Sequence, residues 1–292
     1  MIVRVVVVGA GLGGLAAAAH LVGDGHEITV LERGSRPGGR AGVVERDGFR
    51  LDNGPAVMTM PDLLERVFAA AGASMSDHVR LRPVDPMYRA VFADGSELRV
   101  RHGRAAMTEE IRAFSGDASA VAFGRFADWL AELYRAEMPS FIDADFDSAL
   151  DLVRRWRAGL RLVRLGGFGR LGRKVASFFD DERLQRIFGF QSMYAGVAPY
   201  EALALYAVIT YMDSIVGVSV PDGGMHAIAT GLADALGAAG VELCYERPVT
   251  RILRDGAGRV SGVEVEGGER IAADAVVCNA DLPVAYRTLL GG

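Results

Sequence analysis

The stretch VVVVGAGLGGLAAAAHL, residues 5–21, constrains the fold more than any other part of the sequence. Its four valines predict a strand that is buried on both faces, and the alanine-rich run predicts a helix from residue 13. Between them, Gly9, Gly11 and Gly14 form a G-x-G-x-x-G. These glycines permit a tight turn, a close approach of backbone to a pyrophosphate, and close packing of helix on strand. With a second strand at residues 28–32, the pattern predicts a βαβ unit.

An acidic residue ends the second predicted strand. Glu32 lies 23 positions after Gly9, where a carboxylate can accept a hydrogen bond from a ribose 2′-hydroxyl. An acid at this position disfavours a cofactor that carries a 2′-phosphate. The amides at the start of the first helix would face the phosphates. The sequence therefore predicts a dinucleotide site that includes Gly9, Ala10, Gly11, Leu12, Gly13, Gly14 and Glu32.

The bulk composition excludes several classes of protein. The 292 residues carry a net charge of -5, which gives no support for general nucleic-acid binding. The two cysteines lie far apart in strand-like runs, so we expect a reducing cytoplasm. The N-terminus has neither a basic region nor a cleavage site, so no signal peptide is predicted. The five histidines form no cluster with metal spacing, and DADFD lacks the later ligands of a calcium loop, so we expect no metal.

The order of predicted elements indicates two domains. Strand and helix alternate at both ends of the chain, whereas residues 108–213 read as mainly helical, including a helix at 201–212. Half of the residues are hydrophobic, enough for a sizeable core. The sequence predicts an α/β fold with a Rossmann-type domain in two segments, 1–76 and 221–292. An inserted α+β, mostly helical domain would span 77–220.

A second glycine-rich segment, ERGSRPGGRAG at residues 32–42, follows the ribose acid. Together with the first motif it resembles the opening of two-domain flavoproteins of the amine oxidase and phytoene desaturase superfamily. The resemblance implies FAD as the cofactor, with Arg33, Gly39 and Arg40 near its pyrophosphate and ribityl chain.

Later segments are similar, in the same order, to bacterial phytoene desaturases. They are GFRLDNGPAVMTMPDLLERVF, FGFQSMYAGVAPYEALALYAVITYMD, SVPDGGMHAIATGLADAL, VELCYERPVTRI and ADAVVCNADLPVAYRTLL. This resemblance implies that Gly54, Pro55 and Ala56 lie by the flavin ring, that the backbone of Val249 contacts the adenine, and that Asn279 lies near the adenosine. Members of the family are longer, so the chain resembles their N-terminal portion. A missing C-terminal segment or a second chain would then complete the cofactor site, and a sheet edge would be uncovered.

The resemblance also implies a reaction: desaturation of phytoene or a related apolar polyene, by hydride transfer to the flavin with proton loss. Phe, Leu, Tyr and Met of the helical middle would line an apolar tunnel, or would simply form core. The sequence identifies no catalytic base. A flavin-dependent carotenoid isomerase, an amine oxidase-like enzyme and a lipid carrier of the Rab escort type are the alternatives. Glu32 and the second glycine motif argue against the carrier, because that group has lost the flavin.

Residues 154–174 hold eight basic residues and no acidic one. Helical spacing predicts one amphipathic helix that ends at Gly166, with a basic stripe beside an apolar stripe. The basic stripe contains Arg154, Arg157, Arg161 and Arg164; the apolar stripe contains Val153, Trp156, Leu160 and Val163. Two interpretations remain open: a solvated helix face, or docking on the anionic inner face of the cell membrane, where a polyene is stored.

Overall fold

A computed structural model describes residues 1–291, without the side chains of Ala149 and Leu152. The chain divides into two compact units. Unit 1 consists of Met1–Arg82 and the residues from Ser219 onward, and unit 2 is Pro83–Val218. The sequence places its boundaries after residues 76 and 220, close to these divisions.

The strands and helices alternate in unit 1, whereas helices dominate unit 2. The strands are β1 (Arg4–Val8), β2 (Glu27–Leu31), β3 (Val43–Arg46), β4 (Phe49–Asp52), β5 (Leu81–Pro83), β6 (Tyr88–Val91), β7 (Glu97–Val100), β8 (Ser219–Pro221), β9 (Glu242–Cys244), β10 (Val249–Arg254), β11 (Val260–Val265), β12 (Arg270–Ala272) and β13 (Ala275–Cys278). The helices are α1 (Leu12–Gly23), α2 (Pro61–Ala70), α3 (Met75–His78), α4 (Arg104–Glu137), α5 (Ala149–Arg154), α6 (Trp156–Leu165), α7 (Leu171–Ala176), α8 (Glu182–Gly189), α9 (Ala207–Thr210), α10 (His226–Ala238) and α11 (Leu282–Val284). Short 3-10 or π turns occupy Met138–Ile142, Phe190–Ala195, Ala204–Tyr206, Tyr211–Val216 and Ala285–Leu289.

A parallel sheet with the order β13-β1-β2-β9 forms the centre of unit 1. The valines of β1 alternate between its two faces, as the period of two requires. Val5 and Val7 pack with α1, α2 and α10, whereas Val6 and Val8 pack with the antiparallel sheet β10-β11-β12. Layers on both faces explain why β1 is apolar from Val5 to Val8, and the Rossmann-type α/β prediction is confirmed. The free thiols of Cys244 and Cys278 lie on the two outer strands of this sheet.

Two strand pairs of the structure correct the sequence interpretation. The hairpin β3–β4 was not predicted, although Asp47 and Gly48 form its turn with φ of 53° and 80°. An Asp-Gly pair favours such a turn because both central residues need a positive φ. The short strand β12 was also missed; it pairs antiparallel with β11.

Unit 2 is built around α4, whose helical path is interrupted at Gly116 (φ 85°, ψ 174°). The hairpin β6–β7 turns at Asp94 and Gly95, and an Asp-Gly pair favours such a turn. Phe123 and Phe126 of α4 are fully buried against Phe179 and Phe188. These aromatic side chains therefore form core and do not line a tunnel.

The helix predicted at 201–212 is confirmed from Ala204 onward, but it is not a regular α-helix: a 3-10 turn, the short α9 and a π turn follow one another without a break. Buried polar side chains explain the irregularity, since they bond to groups outside a helical ladder. The hydroxyl of Thr210 reaches the Phe188 carbonyl at 3.4 Å and the Gln191 side chain at 3.3 Å. Asp213 is also buried, within 3.5 Å of the Gln191 amide.

The predicted basic helix is likewise divided. α5 ends at Arg154 and α6 begins at Trp156, so Val153 and Arg154 lie on a different helix from the rest of their stripes. The intervening Arg155 turns inward and donates to the carbonyls of Ser140 and Asp145. The predicted end is confirmed: Gly166 caps α6 with a φ of 76°. Within residues 1–291, no helix is both long and apolar enough to cross a bilayer.

Candidate dinucleotide site

The first glycine loop joins β1 to α1 at the carboxyl end of the parallel sheet. Gly9 has a φ of 100°, and a Cβ on Gly14 would overlap the Gly9 carbonyl oxygen. Helix and strand therefore approach as closely as the motif predicts. The N-terminus of α1 begins after Gly11, and no side chain in the part of the chain that is described caps it. Its first amides are consequently available to an anion.

Glu32 lies at the end of β2, directly beside this loop. Its Oε2 accepts from the Ala10 amide at 2.7 Å, and its Oε1 accepts from the Gly34 amide at 2.8 Å. These two bonds hold the carboxylate at the loop where the sequence places a ribose. Tyr245 lies close enough to Glu32 to be affected by its charge. Burial, followed by the charges of Asp234 and Glu32, raises the pKa of the Tyr245 phenol.

The second glycine loop packs against the first. The Gly38 amide donates to the Ala10 carbonyl at 2.8 Å, and Gly38 pairs with Gly11 in a parallel bridge. Gly38 has a φ of 116°, a conformation that favours glycine. The two motifs, separated by about 25 residues in the sequence, therefore form one continuous backbone surface.

Two of the remaining predicted residues reach the same surface. Asn279 follows β13, and a Cβ on Gly13 would lie 2.7 Å from its Oδ1. Val249 begins β10, just after residues 246 and 247, whose amides donate to the carbonyls of Gly34 and Glu32 at 2.9 and 2.8 Å. The structure thus brings Glu32, Asn279 and the start of β10 to the glycine loops.

The other predicted residues lie further out. Gly54 approaches the second loop so closely that a Cβ would overlap the Arg40 carbonyl oxygen, and Pro55 and Ala56 after it are exposed. Arg33 is exposed. The Arg40 side chain is 86% exposed and forms a 2.6 Å ion pair with Asp281. Nothing in the sequence indicated Asp281 as this partner.

Sequence reasoning also missed the contacts behind the second loop. Asp52 ends β4, and its carboxylate accepts from the amides of Met225 and His226 at 2.8 and 3.3 Å, which caps α10. His226 contacts the Pro37 carbonyl oxygen at 2.9 Å. The sequence offered a partial signal, because an Asp precedes the Gly-Pro segment, but its partner is about 170 residues away.

The candidate membrane helix lies in unit 2. Trp156, Leu160 and Val163 of α6 are 58%, 41% and 59% exposed, while Leu162 packs inward. Arg157 stacks over Trp156 at 5.5 Å, Arg161 pairs with Glu132, and Arg164 is exposed. Both the apolar and the basic stripe of α6 therefore face away from the core of unit 2.

The residues present fit a dinucleotide cofactor. The uncapped start of α1 suits a pyrophosphate, the glycine loops leave its approach free of side chains, and Glu32 can accept from a ribose. Fold and site together define a dinucleotide-binding protein with a second glycine loop.

The chain belongs to the family of flavin-containing amine oxidoreductases, whose sequence profile matches residues 12–291. This membership confirms the predicted family and the predicted cofactor, FAD. A phytoene dehydrogenase of Streptomyces griseus is 53% identical, over 98% of this chain and 56% of its own length. A zeta-carotene-forming phytoene desaturase of Myxococcus xanthus is 39% identical, over 98% of this chain and 55% of its own length.

A solved structure has the same fold. A triple mutant of putrescine oxidase superimposes with a TM-score of 0.61 at 20% identity, over 98% of this chain and 60% of that one. The chain therefore spans little more than half the length of the relatives it matches. This agrees with the expectation that it resembles an N-terminal portion.

Proposed function

We propose that the chain is part of an FAD-dependent oxidoreductase that desaturates phytoene or a related carotenoid precursor in carotenoid biosynthesis. The observation that carries the proposal is the pair of interlocked glycine loops with Glu32, in a chain 53% identical to a phytoene dehydrogenase. Unit 1 would bind the cofactor, and unit 2 would bind the apolar polyene. The proposed substrate and activity belong to the whole protein, of which we propose that this chain is a part.

Backbone groups would supply most of the cofactor contacts. The amides of Leu12, Gly13 and Gly14 at the start of α1 favour the negative charge of the pyrophosphate. Glu32 would accept from the ribose with lone pairs that its bonds to Ala10 and Gly34 leave free. Gly39 and Arg40 would approach the pyrophosphate from the second loop; Arg40 would do so by leaving its exposed pair with Asp281, which costs little.

Bound FAD supplies the acceptor for a hydride that leaves one saturated carbon, while a proton leaves the neighbouring carbon and a double bond forms. The contribution of unit 1 is to fix the position of that acceptor through the loops. Gly54, Pro55 and Ala56, exposed beyond the second loop, are the residues that we place by the flavin ring.

We further propose that α6 docks the protein on an anionic membrane surface at the cytoplasmic side. Exposed Trp156, Leu160 and Val163 would enter the interface, and Arg157, Arg161 and Arg164 would face the lipid headgroups. Each basic residue near such a surface contributes on the order of 1 kcal/mol. Docking would give the enzyme access to a substrate that is stored in the bilayer.

The membrane proposal is tested by co-sedimentation with vesicles that contain phosphatidylserine. Arg157, Arg161 and Arg164 are changed together to Glu; a matched variant carries Glu at Arg46, Arg251 and Arg254 of unit 1. We expect the first variant to stay in the supernatant and the second to bind like the unaltered protein, because only the first reverses the charge of α6. Equal binding by both variants would contradict the proposal.

The reaction is tested with the protein encoded by the complete gene. The purified protein should be yellow with bound FAD, and it should convert phytoene in liposomes when a quinone acceptor is supplied. A flavin-loaded protein that leaves phytoene unchanged would refute desaturation. A product with rearranged double bonds and no net oxidation would favour the isomerase, and a colourless protein that retains polyene would favour the carrier.

A further inference from the structure

A buried histidine lies directly behind the second glycine loop. His226 is the first residue of α10 and is 6% exposed. Its Nε2 lies 2.9 Å from the carbonyl oxygen of Pro37. A carbonyl oxygen can only accept, so Nε2 carries the proton and donates it. On the opposite side of the ring, Nδ1 lies 3.4 Å from the hydroxyl of Thr230, one helical turn further along α10.

This hydrogen bond closes a ring of contacts within unit 1. From Pro37 the chain passes through the glycine pair and the hairpin β3–β4 to Asp52. Asp52 then accepts from the amide of His226, and the imidazole of the same residue returns to Pro37. The ring joins the N-terminal segment of unit 1 to the segment after Ser219. The position of the second loop therefore depends on α10.

The loop is held from both sides. On one side, the Gly38 amide donates to the carbonyl of Ala10 in the first loop. On the other side, a Cβ on Gly38 would lie 3.1 Å from the Cδ2 of His226. The imidazole thus fills the space behind the glycine pair and prevents the loop from moving away from the first loop.

We propose that His226 is the positioning residue of the second glycine loop: its donation to Pro37 fixes Gly38 and Gly39 at the spacing from the first loop that the FAD pyrophosphate requires. The proposal rests on the proposed function in one respect, namely that this loop binds FAD. His226 itself does not touch the cofactor and acts through the backbone of Pro37. An ordinary buried histidine would stabilise unit 1 without setting the geometry of the loop.

Two amide substitutions separate these roles. In His226→Gln the side-chain amide can occupy the position of Nε2 and donate to Pro37, whereas the shorter side chain of His226→Asn occupies the position of Nδ1 and cannot reach it. His20→Ala is the control, because His20 is an exposed histidine of α1 in the same unit. Each variant is made in the protein encoded by the complete gene. Hydrogen exchange of the amides in residues 36–42 is measured without FAD, and the FAD Kd is measured by flavin fluorescence.

We expect His226→Asn to speed exchange at Gly38 and Ala41 and to weaken FAD binding, each by about tenfold, the loss expected for one buried hydrogen bond. His226→Gln should remain within about threefold of the unaltered chain in both measurements, and His20→Ala should leave them unchanged. Exchange that is unaltered in His226→Asn, or a His226→Gln that is impaired equally, overturns the proposal.

The two measurements also distinguish this proposal from the proposed function. If the unaltered chain binds FAD and His226→Asn binds it equally well, the positioning role is refuted and the cofactor site stands. If loop exchange responds as expected but the unaltered chain binds no FAD, the positioning role of His226 in the loop is supported and cofactor binding by this chain is refuted.

Discussion

Glu137 should make the stability of unit 2 depend on pH. It is the last residue of α4 and is 4% exposed, and its Oε1 has no hydrogen-bond partner within residues 1–291. Burial raises the pKa of this carboxyl from 4.5 to about 8. The folded state therefore binds more protons than the unfolded state between these values. The contribution of Glu137 to the stability of unit 2 is complete below about pH 4.5 and is lost as the pH rises toward 8.

The size of the effect follows from the shift of the pKa. One pKa unit corresponds to about 1.36 kcal/mol, so the whole interval amounts to ~5 kcal/mol and the part between about pH 5.5 and 8 to ~3 kcal/mol. A domain has a total unfolding free energy of about 5–15 kcal/mol, so this loss is measurable. Carboxylates such as Asp181, whose pKa is lowered to about 2 chiefly by its hydrogen bond with Arg183, titrate outside this window.

The test is urea unfolding of Glu137→Gln and of the unaltered chain at pH 5.5 and pH 8. Both tryptophans, Trp129 and Trp156, lie in unit 2, so their fluorescence reports the unfolding of that unit. The unaltered chain should lose ~3 kcal/mol more than the variant between these pH values. All other groups of the chain are common to both proteins, so the comparison isolates the carboxyl of Glu137. Glu201→Gln, an exposed residue of the same unit, is the control and should behave like the unaltered chain.

An equal pH dependence in Glu137→Gln and in the unaltered chain would refute the reasoning, since the carboxyl would then ionise at its ordinary pKa in the fold. Burial also raises the pKa of Asp213. We therefore expect Asp213→Asn in the Glu137→Gln background to remove a further part of the pH dependence. A double variant that retained the full dependence would show that neither buried carboxyl causes it.

Three further substitutions test packing at separate places. Gly14→Ala should abolish FAD binding, because its Cβ would overlap a carbonyl of the first loop; Gly237→Ala, with nothing within 4 Å of its Cβ, should bind FAD normally in a fluorescence titration. Phe126→Ala should cost about 3–5 kcal/mol of unfolding free energy in urea, against less than about 0.5 kcal/mol for the 64% exposed Val121→Ala on the same helix. Asp181→Ala removes the side-chain cap of α8 and should lower the unfolding free energy of unit 2 by about 1 kcal/mol or more; an unchanged urea midpoint would contradict that role.

The elements that the sequence predicted well are those whose determining residues lie close together in the sequence. The strand β1, the glycine turn and α1 are each specified by residues within about 20 positions of one another. Glu32 could be placed because the length of one βαβ step fixes its position relative to the loop. The Asp-Gly pair of the hairpin β3–β4 is also a local signal in the sequence.

The features that the sequence could not predict depend on distant partners. The bond from His226 to Pro37 spans 189 positions, and the ion pair between Arg40 and Asp281 spans 241. No periodicity or motif links such residues. The helix predicted at 201–212 is irregular for a related reason: an apolar pattern favours a regular helix, but Thr210 and Asp213 make tertiary hydrogen bonds that no local pattern indicates.

The order of strands in unit 1 has a consequence for folding of the protein during its synthesis on the ribosome. β1 pairs with β13 on its outer side, and β2 pairs with β9. Both outer strands are translated only after all of unit 2. At about 5–20 residues per second, the roughly 135 residues between the two segments take on the order of ten seconds to synthesise. During this interval unit 2 can complete its local helical contacts, while the valines of β1 remain unpaired on the side that β13 later occupies. A chaperone that binds short apolar strands should therefore capture nascent chains with β1 exposed, and should release them once β13 has left the exit tunnel.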